Sequence, residues 1–364
     1  MVTVKMALNW TIEVYLGLIA IAVNIIMLVA ILYYFLGEKH GYVFPMIGNS
    51  VGLTLWVTFR TLGVLLQSKP LVLISLYAFL LTAVSTMLLI DSLTRDSVDP
   101  KKMIVLCIDM TLFIVLSLDP EAISLGPLPS GVVGIVYRQD FSVVLSVLAL
   151  LVGGVYLYGM ILIYNGAPEN LRPHTRLSLI SGLIFGVASP IIVILRIQDM
   201  IPGLITFVVG IGLIPWTYAL VKQPKLAYVI PFRAVRLTVV DMRNGTPLFD
   251  YTWSQSEELA DDAVYSGVLQ GIGMILDESL KHGGIREIKM ESAVLLLQKI
   301  EDSHIASVLV ATNSTRALRR ALSTFSESFF GQFSQDFARS YEISKFHSAD
   351  ALVREHFAFI PEYK

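Results

Sequence analysis

Cysteine and charge are both scarce in this sequence. Cys107 is the single cysteine among 364 residues, and only 15% of the residues are charged. One cysteine excludes a disulfide framework, a zinc site built from cysteines and an iron–sulfur cluster. The net charge is −2 and no basic block is present, so we expect no nucleic-acid partner.

Hydrophobic residues, in contrast, are abundant and unevenly distributed. They make up 55% of the chain, and the mean hydropathy is +0.68, which is not the composition of a soluble globular protein. Of the 56 charged residues, 32 lie in the last 139 residues. The sequence therefore predicts a membrane domain followed by a soluble domain.

Seven apolar stretches in the first 221 residues approach the roughly 20 residues that a membrane-spanning helix needs. The fourth stretch is short and contains Asp109, but ten of its residues are Leu, Ile, Val or Phe. Their favourable transfer into lipid offsets the roughly 3 kcal/mol that a central Asp costs. The seven predicted spans are 11–35, 45–67, 70–90, 103–118, 141–164, 177–195 and 201–221.

Positive charges in the short loops predict the orientation of the chain. With the N-terminus outside, the inner loops and the segment after the last span contain eight Lys and Arg residues, whereas the outer segments contain four. Cytoplasmic loops carry the excess of Lys and Arg. We therefore predict a multi-pass protein of the cell membrane, with its N-terminus outside and its C-terminal domain in the cytoplasm.

Three ionisable residues lie inside the predicted spans, where a charge is costly and generally faces the bundle interior. Arg60 is about seven residues from the outer end of its span, roughly 10 Å deep. Glu13 lies near the outer end of the first span, at the level that a snorkelling Arg60 would reach, whereas Asp109 lies closer to the inner end of the fourth span. We take all three as candidate ligand-binding or switch residues.

Two interpretations of these residues stay open. In the functional one, Arg60 lines a ligand or signal pocket, with Tyr137 and Arg138 in the outer loop above it. In the other, Arg60 snorkels to the lipid head groups or pairs within the bundle.

Asp109 is either a hydrogen-bonded packing residue or a switch. The outer loop at 119–140 is either a plain connector or a small cap over the outer mouth.

Several segments of the first 220 residues or so carry a resemblance to a known family. They are LTLW in the second span, GIVYRQDFSVVL leading into the fifth, LRPHTRLSLISGLIFGV at the entry to the sixth, and an exit that runs straight into the next domain. With these segments, the region resembles the seven-transmembrane sensor region at the N-terminus of many prokaryotic histidine kinases. The resemblance implies a role in sensing.

The second half of the chain has the hydrophobic pattern of an α+β domain. AVRLTVVDMR and TPLFDYTW are predicted to form a hairpin across Asn244-Gly245. A helix is predicted at 256–280, and three short strands follow in REIKMES, AVLLLQKIED and IASVLVATN. A long helix at 315–339 and a short one at 348–357 complete the domain. This order predicts a five-stranded antiparallel sheet covered by helices.

The segments RLTVVDMRNGTPLFDYTW and ATNSTRALRRALSTFSESFF, in this element order, resemble the longin fold and, more loosely, the roadblock and profilin-like families. The predicted fold class is an all-α seven-helix transmembrane bundle at 1–221, a short linker at 222–236 and an α+β longin-like domain at 237–364. The resemblance implies a non-enzymatic platform that binds a small GTPase, a related longin or roadblock domain, or a trafficking partner.

Two features of the long C-terminal helix are candidate partner surfaces. Arg316, Arg319 and Arg320 form a basic patch, which either meets an acidic partner or inner-leaflet lipid head groups, or is a solvated helix face. Phe330 lies off the main apolar stripe, and it is either exposed partner-binding surface or a second packing contact. A homodimer is a further option.

The sequence contains no kinase, P-loop, metal or nucleophile motif. The glycine cluster at 267–273 lies within a predicted helix and lacks the Gly-Lys-Ser/Thr of a phosphate-binding loop. The four histidines of the second half lack the spacing of metal ligands. We therefore expect neither enzymatic activity nor a cofactor or metal.

The sequence leads to two hypotheses of different classes. The first is a non-enzymatic membrane receptor or scaffold, in which a seven-transmembrane sensor is coupled to a longin-like module that docks a small GTPase or another longin or roadblock domain. The alternative is a transporter or integral-membrane enzyme that uses Arg60 and Asp109, with the C-terminal domain as an assembly element.

Overall fold

The computed structural model divides the chain into two compact units, Met1–Ala227 and Tyr228–Lys364. It describes residues 8–36, 41–94, 97–229, 234–243, 246–253, 285–290, 293–300, 303–334 and 343–360. The first unit is helical, with one small hairpin, and the second is built on a β-sheet.

Helices account for most of the first unit. The sixth helix continues through a π-helical segment, Ile184–Ala188, into the seventh. The helices are α1 (Ile12–Phe35), α2 (Val43–Leu65), α3 (Lys69–Thr94), α4 (Pro100–Ser117), α5 (Gln139–Gly166), α6 (Arg172–Leu183), α7 (Ser189–Ile194), α8 (Ile197–Met200), α9 (Leu204–Gly212) and α10 (Ile214–Lys222).

Five helical segments within the described residues are long and apolar enough to cross a membrane. Two predicted spans fall on helices that do not meet this criterion. Asn49 and Arg60 lower the hydropathy of α2, and the 18 residues of α4 include Lys101, Lys102 and Asp109. The five qualifying segments are Ile12–Phe35, Lys69–Thr94, Gln139–Gly166, Glu169–Ile194 and Leu204–Lys222.

The loop between α4 and α5 folds as a β-hairpin. Strands β1 (Ile123–Pro127) and β2 (Val133–Tyr137) pair antiparallel, with Ile123 opposite Tyr137. Gly131 in the connecting turn has φ +81°, a conformation that residues with a Cβ rarely adopt. The hairpin packs on α2 and α3, so this loop is an ordered part of the helical unit.

Helices α2 and α3 approach closely because glycines of α2 face small side chains of α3. A Cβ on Gly52 would lie 2.7 Å from Thr82 Oγ1 and 2.9 Å from the backbone N of Thr82. A backbone atom of a packed helix cannot move aside as a flexible side chain can. Small residues at such contacts are typical of helix pairs in membranes.

Gly52→Ala is therefore expected to destabilise the first unit by about 1–3 kcal/mol, the usual effect of overpacking. Gly154→Ala is the matched control, because a Cβ there meets nothing within 4 Å and Ala favours the helix. Thermal unfolding of both variants in lipid nanodiscs measures the difference. An unchanged Gly52→Ala midpoint would show that α2 and α3 are not packed this closely.

The second unit contains the predicted five-stranded antiparallel sheet, and this prediction is confirmed. Every neighbouring pair of strands is antiparallel, in the order β4-β3-β7-β6-β5. The strands are β3 (Ala234–Asp241), β4 (Thr246–Thr252), β5 (Ile285–Lys289), β6 (Val294–Lys299) and β7 (Ile305–Ala311). The Asn244-Gly245 turn and the helix predicted at 256–280 lie outside the described residues.

The long C-terminal helix, α11 (Arg316–Phe333), begins where the sequence predicts. Thr315 caps it, with its Oγ1 accepting a hydrogen bond from the N–H of Leu318 at 3.2 Å. Ser334 follows the last residue of α11. The rest of the predicted helix, residues 335–339, lies outside the described residues. After a short 3₁₀ segment, α12 (Asp350–His356) forms the final helix.

Both faces of the sheet are apolar. Helix α11 packs against β6 and β7 on one face, and the ring of Phe329 on this helix lies near four other phenylalanine rings. The opposite face carries alternating residues of β6 and β7 in a buried cluster with Val240. The rings around Phe329 are those of Phe249, Phe325, Phe333 and Phe346.

Candidate functional site

A buried ion pair lies within the helical unit. Arg60 Nη2 on α2 is 3.0 Å from Glu13 Oε1, in the first turn of α1. The two residues are 6% and 2% exposed. Arg60 therefore pairs within the bundle, as one of the two sequence-based interpretations held.

Two hydroxyl groups complete the surroundings of the Arg60 guanidinium. Its Nη1 donates to Tyr137 Oη and its Nε donates to Thr206 Oγ1, both at 3.0 Å. Tyr137 ends strand β2 and Thr206 lies in α9. The cluster of Glu13, Arg60, Tyr137 and Thr206, which we call the arginine cluster, thus joins α1, α2, β2 and α9.

These contacts explain how a charge is held in an apolar bundle. Burial removes the hydration of both ions, and their attraction offsets that loss only where further hydrogen bonds satisfy the remaining groups. The hydroxyls of Tyr137 and Thr206 provide such bonds. The sequence did not single out Thr206, because a lone Thr in an apolar helix has no distinctive pattern.

Beside the arginine cluster lies a cavity with a volume of about 40 Å³. A volume of this size holds one to a few water molecules or a very small ligand. Its walls are mostly apolar and aromatic, with Arg60, Tyr137, Ser189 and Gln198 as the polar groups. The described residues that line it are Trp56, Arg60, Leu76, Phe79, Tyr137, Leu145, Ala149, Val152, Phe185, Ser189, Val193, Gln198, Ile205 and Val209.

The π-helical segment between α6 and α7 forms one wall of this cavity. Phe185 lies in the segment, and Ser189 follows it and donates from Oγ to the Phe185 carbonyl at 2.5 Å. A Cβ on Gly186 would lie 2.5 Å from the carbonyl oxygen of Gly153 on α5. The segment therefore lies against α5. Single π-turns inside helices are frequent at functional sites.

The last predicted span is broken between α9 and α10. Pro215 has no N–H, so the regular hydrogen-bond ladder is interrupted there. Two side chains bind carbonyls on the α9 side of the break. Asn24 Nδ2 donates to Gly210 O at 3.2 Å, and Ser181 Oγ donates to Gly212 O at 2.6 Å. The break is thus held by donors from α1 and α6.

Asp109 is not part of the arginine cluster and does not line the cavity. It is 6% exposed, on the face of α4 that carries Leu106 and Phe113. Its Oδ2 is buried and has no hydrogen-bond partner in the part of the chain that the structure describes. The structure therefore does not bring Asp109 and Arg60 together.

Arg138 also lies outside the arginine cluster. Its guanidinium donates to Asp119 at 2.6 Å and to Asp140 at 2.8 Å, and it is partly exposed. The pKa of the Asp119 carboxyl is lowered, first by the hydrogen bond from the backbone N–H of Glu121 and then by that from Arg138. Arg138 ties the end of β2 to the end of α4. Of the two candidate residues in the outer loop, Tyr137 contacts Arg60 and Arg138 does not.

The candidate partner residues of α11 differ in their exposure. Arg316 and Arg320 are exposed, whereas Arg319 and Phe330 are half-buried. Arg319 Nη1 donates to Ser314 Oγ at 2.5 Å and to Glu287 Oε2 at 3.4 Å. The three arginines therefore do not form one uniform patch of solvated charge.

No protein-family model matches the chain, and neither a curated protein nor a solved structure matches it. The helical unit with five candidate spans is compatible in outline with the first sequence resemblance, and the five-stranded antiparallel sheet with the second. Neither resemblance is confirmed at the level of a family.

Proposed function

We propose that the protein is a non-enzymatic membrane receptor or scaffold whose helical unit responds to a small ligand. The observation that carries this proposal is the arginine cluster at the wall of an apolar cavity. A buried charge in a membrane segment generally marks a functional site, because it is costly to keep for packing alone. Mostly apolar walls with a few polar groups are typical of small-molecule sites.

The arginine cluster gives a ligand a way to change the bundle. A molecule that binds Arg60 competes with Glu13 on α1 and Thr206 on α9 for the same guanidinium. A shift of α9 reaches α10 through the break at Pro215, where side chains of α1 and α6 donate to the carbonyls of Gly210 and Gly212. Such a response requires the ligand to bind the two arrangements of the bundle with different affinity.

Seven membrane spans with the N-terminus outside are part of this proposal. Helices α2 and α4 occupy the two further predicted spans, and their polar residues are largely buried or at helix ends. The distribution of Lys and Arg in the loops supports the orientation. In this arrangement the sheet unit is cytoplasmic. The linker at 222–236 transmits the change in the helical unit to the sheet unit, because Pro224 and Pro231 restrict the conformations of this short segment.

The proposed output is the docking of a small GTPase, or of another longin or roadblock domain, on the sheet unit. The support is the predicted resemblance together with a five-stranded antiparallel sheet that carries α11 on one face. Arg316, Arg320 and Phe330 on α11 are candidate contact residues. Transport through Arg60 and Asp109 stays a prediction from the sequence alone.

An affinity capture tests the proposal. The full chain in lipid nanodiscs is the bait, with lysate of the source organism and either GDP or a non-hydrolysable GTP analogue. We expect recovery of a small GTPase in one nucleotide state, reduced when Arg316 and Arg320 are both replaced by Glu. The matched control is Lys345→Glu, an exposed charge change outside α11.

Two results would contradict the proposal. A folded wild-type bait that retains no GTPase and no longin or roadblock protein argues against docking. Solute uptake by proteoliposomes that Arg60→Gln abolishes, although the variant protein still folds, argues for a transporter. If Arg60→Gln alters only the amount of captured partner, the receptor form of the proposal is favoured over a passive scaffold.

A further inference from the structure

Asp91, near the end of α3, is a buried carboxyl group whose negative charge is balanced. The residue is 2% exposed. One of its carboxyl oxygens accepts a hydrogen bond from Lys102 Nζ on α4, and the other accepts from the backbone N–H of Asp99 at 2.8 Å. Asp91 therefore has the partners that a buried carboxylate needs.

Asp109, near the middle of α4, is a buried carboxyl group without such partners. The residue is 6% exposed, and its Oδ2 makes no hydrogen bond within the described residues. Leu106 and Phe113, on the same face of the helix, are buried and apolar. Ile108 and Leu112, on the other side, are exposed and also apolar. The carboxyl group thus lies in apolar surroundings.

Helix α4 packs against α5 and α3, and the ionisable groups of α3 are engaged elsewhere. Lys69 Nζ donates to a backbone carbonyl that follows α4, and Tyr77 Oη shares a hydrogen bond at 3.0 Å with a serine at the end of α4. Asp91 has the partners given above. On α4 itself, Lys101 and Cys107 are exposed, and its other lysine is the partner of Asp91.

The ionisable groups of α5 give this carboxyl no partner either. Asp140 pairs with Arg138 at the start of the helix, and Tyr156 Oη shares a hydrogen bond at 2.9 Å with a serine of α6. Tyr158 is exposed, and Tyr164 lies in the last turn of the helix. No group of α3, α4 or α5 therefore balances a negative charge at the middle of α4.

A carboxylate in apolar surroundings without a partner is strongly unfavourable, and such a group takes up a proton instead. Burial penalises the charged form far more than the neutral one. We infer that Asp109 is a proton-binding site: its carboxyl carries a proton while α4 packs against α3 and α5, and releases it when a rearrangement of α4 admits water. The arrangement of the helical unit is thereby linked to pH.

Infrared spectroscopy tests this inference, because a protonated carboxyl group has a carbonyl stretching band that a carboxylate lacks. The full chain is measured at neutral pH in micelles of a maltoside detergent, which has no carbonyl group. We expect a band that disappears in Asp109→Asn and persists in the matched control Asp91→Asn. The absence of this band, or a band that Asp109→Asn leaves unchanged, overturns the inference.

The pH dependence of the unfolding midpoint is a second readout. Unfolding exposes Asp109 to water, where an Asp is ionised at neutral pH, so the folded protein binds the extra proton. Raising the pH from neutral to alkaline should therefore lower the wild-type midpoint relative to that of Asp109→Asn, by at least about 3 °C. Parallel pH profiles of the two proteins would overturn the inference.

The midpoints of the two variants at neutral pH should also differ. Asn has the shape of a protonated Asp and no charge, so Asp109→Asn should unfold near the wild-type temperature. Asp91→Asn should unfold at a lower temperature, because Lys102 loses its charged partner. An Asp109→Asn protein as unstable as Asp91→Asn would show that the native carboxyl is ionised and paired.

Isotope labelling of the wild-type chain provides the test if Asp109→Asn does not fold. A heavy carbon isotope in the aspartate carboxyls should move the band to lower frequency, whereas the same label in glutamate should not. A band that moves only with labelled glutamate overturns the inference. The arginine cluster takes no part in these measurements, so their failure leaves the proposed function to the capture experiment.

Discussion

Arg60→Met is expected to lower the free energy of unfolding of the helical unit by about 3–5 kcal/mol, because it leaves the Glu13 carboxylate buried without its partner. Glu13 is only 2% exposed, so water cannot replace the lost guanidinium. Tyr137 and Thr206 lose a donor in the same substitution. The measurement is the unfolding midpoint of the full chain in lipid nanodiscs.

The double variant Glu13→Leu with Arg60→Met separates a lost charge balance from lost packing. Replacing both members of a buried ion pair by apolar residues is often neutral or stabilising, so most of the stability should return. The control is Arg138→Met, which removes a partly exposed guanidinium that pairs in the loop and should change stability by less than about 1 kcal/mol. If the double variant is as unstable as Arg60→Met, the unbalanced charge of Glu13 is not the cause of the lost stability.

Phe329→Ala is expected to destabilise the sheet unit by about 3–5 kcal/mol, the usual effect of deleting a buried Phe. The Phe329 side chain is fully buried, and its ring centroid lies 4.9 Å from that of Phe333 and 5.7 Å from that of Phe325. Hydrogen exchange of the β7 amides in the full chain is the measurement, and exchange at least about a hundredfold faster is expected.

The neighbouring Phe330→Ala is the matched control for this substitution. Phe330 is half-buried, so its removal creates less of a cavity and should accelerate exchange far less. Equal effects of the two substitutions would contradict the placement of α11 on the sheet. A loss of partner capture in Phe330→Ala without faster exchange would favour its role as contact surface.

The strands of the second unit were predictable because their pattern is local. Alternating side chains and β-branched residues located the five strands to within a few residues, and Asn244-Gly245 predicted the connection of the first two. Three of the four strand pairs in the order β4-β3-β7-β6-β5 join strands that follow each other in the sequence. The β3–β7 pair joins strands distant in the sequence, and the local pattern does not reveal that pair.

The helical unit was predictable in its elements and less so in its interruptions. Hydropathy predicted an apolar helical unit, in which five of the described helical segments could cross a membrane, but the π-helical segment and the hairpin β1–β2 did not follow from it. Pro215 lies at the break in the last span, because proline has no N–H to continue the helix. The donors that hold this break, Asn24 and Ser181, come from distant helices.

The sequence by itself determined that an Arg and a Glu lie in apolar segments, and it predicted that both are near the same end of the bundle, because hydropathy and helical rise predict depth along a span. Only the tertiary structure decided that Arg60 turns to Glu13, Tyr137 and Thr206, and away from Asp109. The rotation of each helix about its axis is set by packing against its neighbours, and apolar residues on all sides of a membrane helix do not specify that rotation.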